Sequence, residues 1–389
     1  MKDIELIILA GDCYRVASPL RIIVPFKLES SKDILLKGKI NEKENIELVG
    51  HLDPVGKKEA ELTLIVPDLN PKSELKLNCS NISNPRSTVS ITKQKETVYD
   101  VKINDKYFTS LHFNEENLAN RPYLYPLLTP KGIRTTRSLH YDPLENETKD
   151  HPHHTGCWTA WGDISGTDNW AYGKTKGRQE VKKINIEQNA VFGKFDLDIE
   201  WTTSHGKPQL IERRQIWFYN QPEYTNLRMV DFQIDLQPCE KEVKFKDTKE
   251  GGFLAVRVAT FMDVPNGGKI ENSVGGINEK MTWGKRAQWC DYCGVVDNNK
   301  ITVGIAILDH HENINYPTYW HVRDYGLMAA NPFGLSHFLG KKFDGSFVLT
   351  KGNTLTFKYR LIVHDEDTIN AKIKENYLNY YLSHEYKIL

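Results

Sequence analysis

The stretch "DHPHHTGCWTAWGDISGTDNW", residues 150–170, sets His151, His153 and His154 within four positions, with Trp158, Trp161 and Trp170 close behind. Imidazole is the side chain whose unperturbed pKa lies nearest working pH, so a cluster of this kind suits proton transfer, and it also suits ligation of a transition metal. Pro152 biases His151 toward an extended backbone and removes one donor, which places the stretch in an edge, bulge or loop entering a strand. In extended geometry His151 and His153 share one face, and His154 points to the other with Gly156 and Trp158. Three rings then meet one ion only if the chain bends. The local metal signatures, H-E-x-x-H on a helix or a Cys/His knuckle, are absent; a divalent metal stays open and no other cofactor is expected.

A second dense stretch, "LDHHENINYPTYWHVRDYGLMAANPFG" at 308–334, holds His310, His311, Trp320, His321, Arg323, Asp324, Tyr325 and Asn331. Alternation in "WHVRDYG" puts His321 and Arg323 on one face, with Trp320, Val322 and Asp324 on the other. Asp324 suits pairing with Arg323 in a turn, or holding an imidazole from a neighbouring strand in one tautomer. Upstream, "RPYLYPLLTPKGIRTTRSLH" (121–140) is punctuated by Pro and Gly, as long functional loops are. Its Arg134 and Arg137 carry planar forks for a carboxylate or a hydroxyl, or for pairing with Asp142, Glu145 or Glu147. In "KEGGFLAVRV", Glu250 precedes a strand and Arg257 lies within it, where a charge faces a polar cavity or a partner. The tryptophans at 158, 161, 170, 201, 217, 283, 289 and 320 suit a cleft in which sugar rings stack their C–H faces on aromatic planes, although Trp201 and Trp217, within long strands, read more simply as core.

The chain that must position these groups has 389 residues, with 51 Lys+Arg against 51 Asp+Glu. A balanced charge without a basic run gives no field for nucleic acid, and no apolar run reaches the 18 or so residues of a membrane-spanning helix. A soluble chain is expected, periplasmic or cytoplasmic. Cysteines fall at 13, 79, 157, 239, 290 and 293. Cys290 and Cys293 form a C-x-x-C pair with no second pair at zinc-knuckle spacing, which reads as structural.

Residues 1–90 show short alternating strands such as "IELIIL", "RIIVPFKL" and "AELTLIVP" between Gly, Pro, Asn and Asp turns, which predicts a small β-sandwich ending near "NISNPRSTVS" (81–90). From 91 to 389 the strands lengthen and gain aromatics, as in "VFGKFDLDIEWTTS" and "PQLIERRQIWFYN", predicting large antiparallel sheets packed face to face. A helical period appears only in "DTINAKIKENYLNYYLSHEY", capped by Asp367 or Thr368, with a stripe of Ile369, Ile373, Tyr377 and Tyr380 or Tyr381.

With "ILAGDCYRVASPLRI", "RPYLYPLLTPKGIRTTRSL", "DHPHHTGCWTAWGDISGTDNW", "EGGFLAVRVA", "WGKRAQWCDYCG" and "DHHENINYPTYWHVRDYGLMAANPFG" in this order, the chain resembles a bacterial family of unknown function commonly labelled "methane oxygenase PmoA". The resemblance runs over essentially the whole chain. It implies a galactose-mutarotase-like β-supersandwich behind a small N-terminal β domain. The label's own activity belongs to a membrane-embedded assembly, whereas this chain lacks a membrane-spanning pattern. What the resemblance implies instead is a carbohydrate setting, since such supersandwiches serve sugar epimerases, glycoside hydrolases and polysaccharide lyases, with the site on a concave sheet face.

The expectation is therefore a carbohydrate-active enzyme that cleaves a glycosidic bond, as a hydrolase or a lyase, on a mono- or oligosaccharide. His153 or His154 is expected to move a proton, with His321 as the complementary group and Asp324 as its orienter. Glu250 with Asp324 is the carboxylate pair that ordinary glycoside hydrolysis would require. Arg134, Arg137 and Arg257 are expected on hydroxyls or a uronic carboxylate, with Trp158, Trp161, Trp320, Arg323, Tyr325 and Asn331 lining the cleft. If His and Arg dominate, β-elimination or epimerisation is favoured. The alternatives are a sugar mutarotase or epimerase, a non-catalytic carbohydrate-binding protein, and a metal-dependent enzyme.

Overall fold

A computed structural model of the protein describes residues 5–81, 88–115, 118–296 and 301–389. Most of the segment expected to close the N-terminal unit, 82–87, lies outside the described residues. Among the described residues the chain is built from three large antiparallel sheets of seven, eight and eight strands. No helix among them is long and apolar enough to cross a membrane.

The N-terminal sheet runs in the order Ser18–Val24, Ala60–Val66, Glu44–Pro54, Lys32–Ile40, Glu74–Asn81, Glu5–Leu9 and Glu385–Ile388. Alternation builds it: in Ser18–Val24 the side chains of Leu20, Ile22 and Val24 turn inward while Arg21 and Ile23 do not. Leu6 and Ile8 pack in the same aliphatic core as Leu20 and Ile22, although their strands lie far apart in the order, so the sheet curls over its own core. Its last strand comes from the C-terminus, which pairs Leu6 with Ile388. That short strand, mostly exposed and mostly polar, carries too little pattern to be read in advance.

The two eight-stranded sheets pack face to face, with Val89–Lys95 the first strand of the front one. The front sheet ends on Tyr319–Arg323, Leu327–Asn331, Gly251–Arg257, Cys157–Trp161, Tyr123–Tyr125 and Lys106–His112. Between the sheets lies an aromatic layer in which Trp161 stacks on Phe253 at 5.4 Å and Phe253 on Phe357 at 4.0 Å. The outer face of the back sheet is covered by the N-terminal sheet and the C-terminal helix, through Trp217, Met229, Ile362 and Ile373. That helix spans Ile373–Tyr381, shorter than its periodicity suggests, because Lys372 sits at φ +52° and breaks the helical path. Asp367 caps only the preceding turn, through the amides of Ile369 and Asn370, and Ile369 is 81% exposed, outside the stripe.

His51 ties the N-terminal sheet to the sandwich. Its Nδ1 lies 2.6 Å from Asp33, and its Nε2 lies 3.3 Å from Asp53 and 3.5 Å from Glu187 of the back sheet. Burial alone pulls this imidazole down, but hydrogen bonds to Asp33 and Asp53 outweigh it and hold His51 at about 9, above its ordinary 6.5. A raised folded-state pKa stabilises fully below the unfolded value and is lost as pH rises through the folded one. The unfolding midpoint in denaturant is therefore expected to fall between pH 6.5 and about 9, and His51→Gln to flatten that fall. An unchanged slope in the variant would show that other groups set it.

Candidate functional site

On the outward face of the front sheet, strand register aligns one residue from each of six neighbouring strands: His112, Tyr123, Trp158, Ala255, Ala329 and His321. The centre of this row is small, with Ala255 and Ala329 beside Ala160, and its flanks are aromatic. Methyl groups there let loops and rings settle close over the sheet. Three strand spacings separate His321 from Trp158, roughly 14 Å, so His321 and the residues above Trp158 work on different parts of one face.

Above Trp158 the backbone bends. The amide of His154 donates to the carbonyl of His151 at 2.9 Å, and His151 takes φ +43°. A left-handed φ is costly for a non-glycine residue and persists only where the surroundings enforce it. The bend replaces the extended geometry predicted from Pro152 and brings all three imidazoles together. Tyr325, His151, His154 and Trp158 form a cluster of near-parallel rings, with Tyr325–His151, His151–His154 and His154–Trp158 separations of 4.9, 4.7 and 5.5 Å and Tyr325 also 6.4 Å from His154. His153 meets His154 edge-on at 4.5 Å. Stacked rings do not aim their nitrogens at one point. Among the described residues, no group of three ligand atoms close enough to share an ion includes these histidines.

The bend is enforced by two buried arginines. Arg137 donates to Asp150 Oδ1 at 2.7 Å and to the carbonyls of Asp150, His151 and His154. Arg257, within its strand, donates to both Asp150 oxygens, at 2.8 and 3.3 Å. Burial would raise the Asp150 carboxyl; Arg257, His151 and Arg137 outweigh it and bring it down to about 2. Arg134 is spent similarly, donating to Glu147 at 2.6 Å and to the Thr136 carbonyl. Arg134 and Arg137 thus shape the loop from behind and do not face a ligand as the sequence suggested. Arg257 lies over the Tyr325 ring, but its terminal nitrogens are engaged by Asp150 and Thr148.

Burial decides which imidazoles can move protons. With Arg121 beside it, burial pushes His153 down to about 3, and His154 also falls well below its ordinary value. His321, buried and near Lys249, is held at about 3. All three are held toward the neutral form, which disfavours the donor half of the donor-or-acceptor role expected of His153 or His154 and leaves His321 a poor proton donor. Arg257 can only donate, so His154 Nδ1 accepts from it at 3.4 Å and Nε2 carries the proton. The exposed member of the cluster is His151, whose side chain is 41% accessible and whose Nδ1 lies 2.5 Å from Asp150 Oδ2. Asp150 faces that nitrogen and leaves Nε2 turned away from the carboxylate, the carboxylate–imidazole arrangement that fixes a tautomer. Asp150 adjoins the histidines in sequence; what concealed its role was that Arg137 and Arg257, which place it, are remote in the chain.

Other expected site residues fall elsewhere. Trp161 and Trp320 point into the sandwich core and donate to the carbonyls of Lys246 and Ala287. For Trp320 this follows from the alternation that sends His321 outward. Asn331 is fully buried and donates to the carbonyls of Thr248, Lys249 and Gly251, organising a turn. Asp324 does not orient His321: its carboxylate accepts from the Glu279 amide at 2.8 Å, and the group that fixes His321 is the Trp283 indole, donating to Nδ1 at 3.0 Å. Glu250 precedes its strand, seven positions or roughly 23 Å from Arg257, whose register neighbours adjoin Asp324, and pairs with Lys249. The expected carboxylate pair is therefore not formed. His310 and His311 pack against Tyr380 and Tyr381, on the helix side of the molecule.

Three features define what this face can hold. Arg323 lies 2.8 Å from Glu279 through Nε and sits over Tyr325, while its terminal nitrogens make no hydrogen bond among the described residues. His154 Nε2, Trp158 Nε1, Trp170 Nε1 and the Tyr172 hydroxyl are buried with no partner among the described residues, although buried polar groups are nearly always satisfied. Arg121, 1% exposed, lies over Trp158 and Tyr172 and is held by carbonyls of Trp170 and His153, with no carboxylate in contact among the described residues. Positive charge, hydrogen-bond donors and ring faces therefore converge around the histidine bend.

Residues 99–377 match the model of a family of unknown function, DUF6807. The chain belongs to that family. The DUF6807 segment contains the six-residue row, the histidine bend and both arginine clamps, whereas all but the last strand of the N-terminal sheet precede it. No curated protein matches this DUF6807 member.

Proposed function

We propose that the protein is a carbohydrate-active enzyme that processes acidic sugars on the outward face of the front sheet, cleaving the glycosidic bond by β-elimination. The observation that carries this reading is the exposed Asp150–His151 pair, whose imidazole stacks on the Tyr325 ring over which Arg323 also lies. Arg323 is ion-paired to Glu279 through Nε, and its two terminal nitrogens, which make no hydrogen bond among the described residues, suit bidentate binding of a uronic carboxylate, while aromatic planes suit the C–H face of a sugar ring. His151 Nε2 removes the proton on the carbon next to the carboxylate. The electron pair forms the ring double bond, the neighbouring C–O bond breaks, and the imidazolium returns its proton to the leaving oxygen. Positive charge from Arg323 stabilises the carboxylate as charge flows into it. The absence of a Glu250–Asp324 pair favours this route over two-carboxylate hydrolysis. Epimerisation shares the first step and differs in where the proton returns.

Uronate-containing and neutral oligosaccharides, incubated separately with the protein, test the reading. The expected result is an ultraviolet-absorbing unsaturated product from the acidic set alone. Cleavage of neutral sugars with new reducing ends and no unsaturation would replace it with hydrolysis.

A further inference from the structure

We propose a second site, a binding site for one zinc-class divalent ion formed by Asp291, Cys293 and His364 on the outer face of the back sheet. Their ligand atoms lie within 4.8 Å of one another, and all three residues are buried. Cys293 Sγ is 3.2 Å from Asp291 Oδ2, and His364 Nε2 is 3.1 Å from Asp291 Oδ1. Bond lengths of about 2.0–2.3 Å put neighbouring ligands of a tetrahedral ion about 3.3–3.8 Å apart, so small side-chain rotations suffice. One thiolate, one imidazole and one carboxylate form a donor set that suits zinc or cobalt and is too soft for magnesium or calcium.

The backbone explains the convergence. Cys293 pairs with Gly304, and Gly304 with His364, so the three form a row across adjacent strands with glycine in the middle. A Cβ on Gly304 would lie 2.3 Å from His364 Cε1 and 2.9 Å from Cys293 Sγ. The missing side chain is the space in which thiol and imidazole meet. His364 Nδ1 lies 2.7 Å from the carbonyl of Glu366 and donates to it, which directs Nε2 toward Asp291 and Cys293; metal-bound histidines are held in the same manner. Thr368, whose hydroxyl is 3.6 Å from Cys293 Sγ, stands at the remaining position, which it or a water would fill. The C-x-x-C spacing is coincidental here: Cys290 faces the sandwich core and Cys293 the opposite side.

Full-length protein stripped with chelator and titrated with cobalt(II) is expected to bind one equivalent, with the visible charge-transfer band of a cobalt–thiolate bond. Cys293→Ser should abolish the band and weaken binding by about 10–100-fold or more, while Cys290→Ser keeps both. Zinc should displace the cobalt and raise the melting temperature of the wild type. The wild-type titration needs no variant to fold: absence of a saturable thiolate band overturns the site. So does a band that survives Cys293→Ser.

Discussion

His151→Asn is expected to lower turnover of a uronate-containing oligosaccharide by about 10²–10⁴-fold, the range carried by a positioned acid–base group. Asparagine is chosen because it tolerates the φ of +43° found at this position better than other side chains do. The His151 side chain is 41% exposed, and Asp150 retains its bonds to Arg137 and Arg257 in its absence. The melting temperature should therefore stay close to that of the wild type, separating lost chemistry from lost structure. His153→Asn serves as the comparison. Because His153 is held neutral by burial at about 3, its loss should change substrate affinity more than the pH dependence of turnover. Equal loss of turnover in both variants would move the proton transfer away from His151.

Asp150→Ala is expected to have the largest effect on stability. Arg257 is 0% and Arg137 2% exposed, and Asp150 is the carboxylate that hydrogen-bonds to both. Removing one partner of a buried ion pair costs about 3–5 kcal/mol, because the remaining charge stays buried and uncompensated. The Asp150 side chain is 38% exposed, so water reaches part of the pair and the lower end, about 3 kcal/mol, is expected. Equilibrium denaturation measures it directly. Arg134→Ala should cost less, since Arg134 is 22% exposed and its Glu147 partner keeps the amide and hydroxyl of Thr260. An Asp150→Ala variant as stable as the wild type would show that water replaces the carboxylate and that the clamp does not enforce the bend.

Much of the fold is legible in the sequence because alternation states which face of each strand is buried. "WHVRDYG" separates Trp320 and Val322 from His321 and Arg323 as the structure does. The C-terminal helix is legible in type but not in extent, because its start depends on one left-handed residue, Lys372. At the site, residue types are legible and contacts are not. Trp161 and Trp158 look equivalent as cleft residues, yet they lie on opposite faces of one strand. Arg137 reads as a ligand-binding fork, but its donors are taken by backbone carbonyls that only the folded loop brings within reach. His321 and Asp324 are three residues apart, while the group that orients His321 is Trp283, 38 positions away. Local pairing rules favour near neighbours, and the sheet joins distant ones.

The central claim is that the histidine bend and the Arg323 fork bind an acidic sugar. A crystal structure of the protein soaked with a uronate-containing oligosaccharide tests it most directly. The predicted result is a sugar carboxylate on the Arg323 terminal nitrogens, the ring against Tyr325, and the acidic carbon within hydrogen-bond reach of His151 Nε2. Density for the sugar on another face, or on this face with its carboxylate turned away from Arg323, would contradict it.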